Sequence, residues 1–125
     1  LDFEKNEIKA VNAGHPPGWI RYPDGKITEM KTGGPFVGQF SGLEYKEQVL
    51  PLVPGSRMFL YTDGIFECVD NQGNMLGVSG IRSFFENHLN DTPEVFESEI
   101  KKLMKEYSVD PERIDDTTYI LVDFK

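Results

Sequence analysis

A single cysteine, Cys68, stands in a chain of 125 residues. One thiol excludes an internal disulfide framework and suits a reducing compartment. Its plain structural role is that of a small buried core side chain. Histidine is almost as scarce, with only His15 and His88. Neither has another histidine or a cysteine at ligand spacing, so a zinc site is poorly supported. Positive charge is short as well: 13 Lys+Arg against 21 Asp+Glu leave a formal net charge of -8. A surface of that sign repels a phosphate backbone, which argues against nucleic acid as a partner. No run approaches the ~20 continuous apolar residues of a membrane span, and no basic-then-apolar leader opens the chain. A cytoplasmic location is therefore expected. The remainder is ordinary for a globular fold, 38% hydrophobic and 27% charged. The length fits one domain, or part of one, with a real apolar core.

The first half reads as strands and turns, with no internal repeat and no linker long enough to separate domains. Residues 3–11 alternate apolar and polar, as a half-buried strand does. A strand at the very start needs a partner, so the chain is expected to begin inside a fold. Residues 19–22 and 27–30 flank Pro23-Asp24-Gly25-Lys26, a hairpin signal in which proline presets φ and glycine accepts a positive φ. Leu43, Tyr45 and Val49 share one parity of a further strand, and Pro54-Gly55 marks the next turn. Residues 57–61 are nearly all apolar, the pattern of a central strand covered on both faces. The second half turns helical. Ser79 is the predicted cap of a helix carrying Ile81, Phe84, Phe85, His88 and Leu89 on one stripe. Thr92 and Pro93 open a second, with Glu94 in its first turn and Phe96, Ile100, Leu103, Met104 and Tyr107 as its buried face. Val109-Asp110-Pro111 ends that helix, and residues 119–122 form a last strand. The order predicts an α+β fold with helices packed on a largely antiparallel sheet.

Three stations can carry chemistry, and each also has a plain structural reading. Asn12-Ala13-Gly14-His15-Pro16-Pro17 can be a strand-ending turn. Leu60-Tyr61-Thr62-Asp63-Gly64-Ile65-Phe66-Glu67 sets an aspartate at the end of the most apolar strand. Asp-Gly is a common turn pair, yet an aspartate leaving a buried strand has the rigid placement a metal ligand needs. Glu67 would share its face if the segment turns helical. Ile114-Asp115-Asp116-Thr117-Thr118 joins two carboxylates that repel unless solvated or neutralised by a cation. It is a solvated loop or a source of the hard oxygen ligands that magnesium and manganese prefer.

In that order, together with Gly33-Gly34 and Gly38, the motifs resemble the SpoIIE-like branch of the PPM-type, metal-dependent serine/threonine protein phosphatases. The resemblance runs from about Val11 to Phe124 and includes the Leu52-Val53-Pro54-Gly55-Ser56 turn. It implies a largely antiparallel β-sandwich flanked by helices, with two manganese or magnesium ions held by aspartates at one end. Asp63 matches the metal aspartate of the Thr-Asp-Gly motif, and Asp115 that of the Asp-Asp-x-Thr motif; both would be catalytic. Asp116 occupies the adjoining ligand position. Gly14 and His15 match a motif beside the metal centre, Gly64 belongs to the Thr-Asp-Gly turn, and Glu67 matches a supporting position after it. The implied reaction is hydrolysis of phosphoserine or phosphothreonine by a metal-activated water.

The resemblance also implies a phosphorylated protein as substrate, of the anti-sigma-factor antagonist type, in bacterial signalling. An upstream sensor or receiver domain is expected in the parent protein. Departures from the pattern matter. The family's Gly-Asp-x-x-Asp motif, which supplies bridging metal ligands, has no match, because Asp2 is the only aspartate before Asp24. Thr117 replaces a usual aliphatic residue, and the proline of residues 33–38 falls one place early. Residues 1–125 are thus expected to be one domain, the C-terminal portion of the phosphatase domain with its N-terminal part missing. Alone it would be weak or inactive, and it would self-associate through an exposed strand edge. The competing readings are a non-catalytic regulatory or interaction domain on the same fold, and an unrelated small α+β binding protein with coincidental turns.

Overall fold

The alternating segment at the start becomes strand only in its second half, as β1 (Glu7–Ala10). Before it the chain turns back on itself, closed by reciprocal backbone hydrogen bonds between Asp2 and Glu7 of 2.8 and 2.9 Å. Asn6 takes φ +52° in that turn, a conformation that asparagine adopts more readily than branched residues. The computed structural model describes residues 1–107 and 117–125. They divide into two compact units, residues 1–60 with 120–125, and residues 61–119.

The first unit is built from β1, β2 (Asn12–Ala13), β3 (Gly18–Arg21), β4 (Ile27–Met30), β5 (Gly33–Gly34) and β6 (Gln48–Pro51), with all but the Tyr61 end of β7 (Arg57–Tyr61) and the Tyr119 end of β8 (Tyr119–Asp123). The predicted hairpin is β3–β4. Its turn is closed by Tyr22 N–H to Lys26 O and Gly25 N–H to Tyr22 O, both 2.9 Å, with Gly25 at φ +86°. β7 lies inside a four-stranded sheet of order β4-β3-β7-β8, as its apolar run predicts. Of the strand predicted around Leu43, Tyr45 and Val49, only the end forms, as β6; Leu43 is exposed.

β1 and β6 pair antiparallel with Ile8 opposite Leu50. These two side chains join Ile20 of β3, Met30 of β4 and Met58 of β7, with Tyr22 and Leu52, in one apolar cluster. Two antiparallel sheets thus share a sandwich core, and each fully buried aliphatic there contributes about 1.5–3 kcal/mol over exposure. The alternate positions of the larger sheet carry Trp19 opposite Phe59, both fully buried, with ring centroids 6.4 Å apart.

The second unit holds α1 (Asp63–Phe66), α2 (Gly77–Asn87) and α3 (Pro93–Glu106). α2 starts two residues before Ser79, and no side chain caps it. Leu76, buried and bonded through its N–H to Cys68 O at 2.9 Å, anchors that start instead of a cap. α3 begins as predicted: Thr92 Oγ1 accepts the Val95 N–H at 3.4 Å, with Pro93 and Glu94 in the first turn. Phe84 of α2 meets Phe96 of α3 edge to face, centroids 5.1 Å apart. The predicted helix end at 109–111 lies outside the described residues. Among the described residues no helix is long and apolar enough to cross a membrane.

Candidate functional site

Asp63 is placed by what surrounds it in sequence. Thr62 leaves β7 in extended conformation (φ -90°, ψ 166°), and the chain then winds at once into α1. One turn of helix has little stability of its own. It is held by Ile65, fully buried, and by Phe66, whose ring meets Tyr61 edge to face with centroids 6.3 Å apart. The burial that fixes Ile65 turns Asp63 outward, and its carboxylate is exposed. Asp63 Oδ1 accepts the Gly64 N–H at 3.1 Å, the one hydrogen bond to this carboxylate among the described residues. A rigidly based, exposed carboxylate with lone pairs to spare fits one hard-oxygen position for magnesium or manganese.

Glu67 follows as the C-cap of α1, its N–H on Asp63 O at 3.0 Å, and it too is exposed. Cys68 is half-buried, not the buried core side chain expected of a free cysteine. Its Sγ donates to Gly64 O at 3.0 Å, and burial pushes the thiol pKa up.

The strand order makes β7 and β8 neighbours, the adjacency that the two aspartate stations require. At one end Gly55 N–H donates to Phe124 O at 2.6 Å and Phe124 N–H to Ser56 O at 2.9 Å. At the other, Thr62 N–H donates to Thr118 O at 2.9 Å. The pairing is therefore antiparallel, so the end of β7 and the start of β8 lie at the same edge. Thr62 Oγ1 also donates to Thr118 O at 3.3 Å and accepts the Thr118 N–H at 3.0 Å. Asp115 and Asp116, the other predicted ligands, lie outside the described residues. Among the described residues no three His, Cys, Asp or Glu side chains converge as a metal site.

The Asn12-Ala13-Gly14-His15 motif and Gly33-Gly34 are brought together as a short parallel pair, Asn12 opposite Gly33 and Ala13 opposite Gly34. A Cβ on Gly33 would fall 1.7 Å from Asn12 O, so only glycine permits this approach. Gly14 takes φ +82° above the Phe36 ring. Asn12 Nδ2 holds the turn by donating to His15 O at 2.8 Å. His15 is exposed, with Nδ1 2.9 Å from Pro16 O.

Sequence reasoning names Thr62 and Thr118 only as letters of motifs and gives them no role. The available signal is that each ends or precedes an apolar strand beside an aspartate, where a hydroxyl can serve a backbone group. The Asn12 amide is missed in the same way.

A family model described as Stage II sporulation protein E (SpoIIE) matches residues 1–125. The chain is similar to the phosphoserine phosphatase RsbP of Bacillus subtilis (strain 168), 33% identical over 67 residues, which is 54% of this chain and 17% of RsbP. In three dimensions it is similar to the SiaA-PP2C domain of Pseudomonas aeruginosa, with TM-score 0.76, 22% identity, and coverage of 99% of this chain and 49% of that one. It is also similar to the phosphatase domain of the cell fate determinant SpoIIE from Bacillus subtilis, Mn presoaked. There the TM-score is 0.68 and the identity 16%, over 100% of this chain and 54% of that one. The chain thus spans about half of each solved chain and less than a fifth of RsbP. Its α+β arrangement of antiparallel sheets and helices is that of PP2C-type phosphatase domains.

Proposed function

This chain belongs to the SpoIIE family, and from that membership we propose that it supplies metal-binding carboxylates to a protein phosphatase acting on phosphoserine or phosphothreonine. The observation that carries the reading is Asp63, exposed at the end of a buried strand whose neighbour begins at Tyr119, three positions after Asp116 in sequence. Thr62 and Thr118 are hydrogen-bonded where the ends of the two strands meet. RsbP, a phosphoserine phosphatase by name, is the relative that supports the substrate class.

Asp63, Asp115 and Asp116 would hold manganese or magnesium, ions whose hard character matches carboxylate oxygen. Bound there, divalent cations supply a water nucleophile at neutral pH and positive charge opposite the phosphoryl oxygens. The chain's own residues set the geometry. Ile65 anchors the turn that presents Asp63, and Gly64 occupies one lone pair of its carboxylate. Glu67, one turn on, adds negative charge that favours a cation there. Gly14 and His15 are assigned a supporting role.

The finer reading is a cytoplasmic signalling enzyme whose substrate is a phosphorylated anti-sigma-factor antagonist, under the control of a sensor or receiver domain. Residues 1–125 would be one domain of that enzyme, and self-association would run through an exposed strand edge. Alanine at Asp63 should abolish manganese-dependent hydrolysis of a phosphoserine protein by the protein that contains this chain. It should also remove the manganese binding seen by calorimetry with wild type. Retained activity in Asp63→Ala would overturn the assignment. The competing reading is a non-catalytic interaction domain on the same fold. Wild-type protein that binds no manganese yet captures a signalling protein would establish that reading.

A further inference from the structure

We propose that the outer edge of β8 is a self-association surface, pairing antiparallel with β8 of a second copy of this chain. The inference rests on the self-association reading above, whose edge it names, and it is independent of the phosphatase reaction. It uses β8 from Ile120 onward, residues that all belong to the first unit. Two observations carry it: an apolar strand ends a sheet without being buried, and the other strand edges among the described residues are blunted.

β8 is the last strand of the sheet ordered β4-β3-β7-β8. Its sequence, Tyr-Ile-Leu-Val-Asp, is as apolar as the Arg-Met-Phe-Leu-Tyr of β7, yet four of the five β7 residues are buried and none of β8. Ile120 is 52% exposed, although Val122 and Phe124, on the same parity, pack against the sandwich core. Phe124 turns both main-chain groups towards β7, donating to Ser56 O and accepting the Gly55 N–H. Alternation along the strand therefore directs the N–H and C=O of Leu121 and Asp123 to the opposite side, where the sheet stops. A row of such groups is a template for another strand.

Proteins keep strand edges apart with charge, proline, shortness or a chain folded over them. At the far side of the same sheet, β4 carries the Glu29–Lys31 ion pair of 2.8 Å, and Glu29 O accepts the Gln48 side-chain amide at 2.9 Å. In the smaller sheet the reciprocal bonds of Asp2 cover Glu7 of β1, and exposed Lys9 follows. β6 holds Pro51, which has no N–H to offer. β2 and β5 are two residues long. β8 carries none of these devices: its single charge, Asp123, is engaged by Arg57.

The same residues select a second copy as the occupant. Setting Leu121 opposite Asp123 of the other copy, across a two-fold axis at Val122, brings the two outward N–H groups of each copy to the two outward C=O groups of the other. Val122 then faces Val122, and exposed Ile120 faces Phe124, cross-strand pairs of the β-branched and aromatic kind that stabilise a sheet. No like charges come into opposition, because Asp123 faces Leu121. One strand pair buries less than the roughly 1,200–2,000 Å² of a standard interface, so the dimer is weak and concentration-dependent.

The test uses the protein that contains this chain, with sedimentation velocity over a concentration series and hydrogen exchange of the β8 amides. Wild type should pass from monomer to dimer as concentration rises, and exchange at Leu121 and Asp123 should slow in step. Leu121→Pro removes an N–H that faces away from β7, and Ile120→Lys sets a charge on the edge. Each should weaken dimerisation by about tenfold or more. Val49→Lys, at an exposed position of β6, should leave it unchanged. Circular dichroism checks the fold, and Ile120→Lys decides alone should the proline variant not fold. Dimers that ignore the β8 variants, or that weaken equally with Val49→Lys, overturn this inference and leave the self-association reading standing. Wild type monomeric throughout removes both. Monomers whose Leu121 and Asp123 amides are protected at every concentration also overturn the inference, because another segment of the same protein then fills the edge.

Discussion

Replacing Asp123 with asparagine isolates what one ion pair does for the sheet that leads to Asp63. Arg57 of β7 reaches across to Asp123 of β8 in a bidentate pair, Nε to Oδ1 at 2.6 Å and Nη2 to Oδ2 at 2.8 Å. The arginine side chain is 8% exposed and the aspartate 34%. Two unit charges about 4 Å apart attract by roughly 4 kcal/mol at an effective dielectric of about 20. Desolvation of the arginine and the partial exposure of the aspartate reduce the net value to about 2 kcal/mol. The loss is sharpened by Arg21, the cross-strand partner of Arg57 in β3, because like charges opposite one another destabilise a sheet. Asp123→Asn keeps the volume but presents an amide N–H₂ towards a guanidinium that can only donate. Urea denaturation should therefore show a loss of about 2 kcal/mol at unchanged m-value, with the melting temperature down by about 6–10 °C.

The same pair predicts a pH dependence. The Arg57 hydrogen bonds hold the Asp123 carboxyl below the usual aspartate range, against a smaller opposing effect of burial. A folded pKa below the unfolded value of about 3.9 contributes stability fully present above that pH. The contribution is lost as the pH falls through the folded pKa. Asp123→Asn should flatten that acid limb. A stability change under about 0.5 kcal/mol with an unaltered acid limb would refute the reasoning and assign the β7–β8 register to the backbone alone.

Gly33→Ala should unfasten the β2–β5 pair, since its Cβ would sit 1.7 Å from a backbone oxygen of Asn12. We expect a loss of about 1–3 kcal/mol in denaturant, and wild-type stability would disprove the close approach. The Cys68 thiol, half-buried and with its pKa raised, should alkylate with iodoacetamide more slowly than a free thiol at neutral pH. Its rate should still be climbing above the pH at which an ordinary thiol levels off. A plateau at or below the ordinary thiol pKa would contradict the burial assigned to it.

Much of the fold was legible because local chemistry and tertiary need agreed. The Pro-Asp-Gly hairpin, the buried strand of residues 57–61 and the Thr92 cap each follow from one physical rule and stand where expected. Prediction failed where a local signal was outvoted. Alternation at residues 3–6 yielded to a turn locked by Asp2 and Glu7, and Ser79 lost the start of α2 to the buried Leu76. The Asp63 station was readable because Asp-Gly directly follows an apolar strand. The roles of Thr62 and Asn12 were not, because a hydroxyl or amide serving a distant main chain leaves no periodic trace.

The order of residues alone determined that this is an acidic α+β chain with an Asp-Gly turn directly after its most apolar strand, because burial periodicity and turn chemistry are local properties. Only the tertiary structure decided that β7 and β8 are neighbours, that Asn12 lies against Gly33, and that Thr62 closes on Thr118. Such pairings join residues 21 to 69 positions apart. Which strand pairs with which depends on how the apolar faces fill one core together, and no short window of sequence contains that sum.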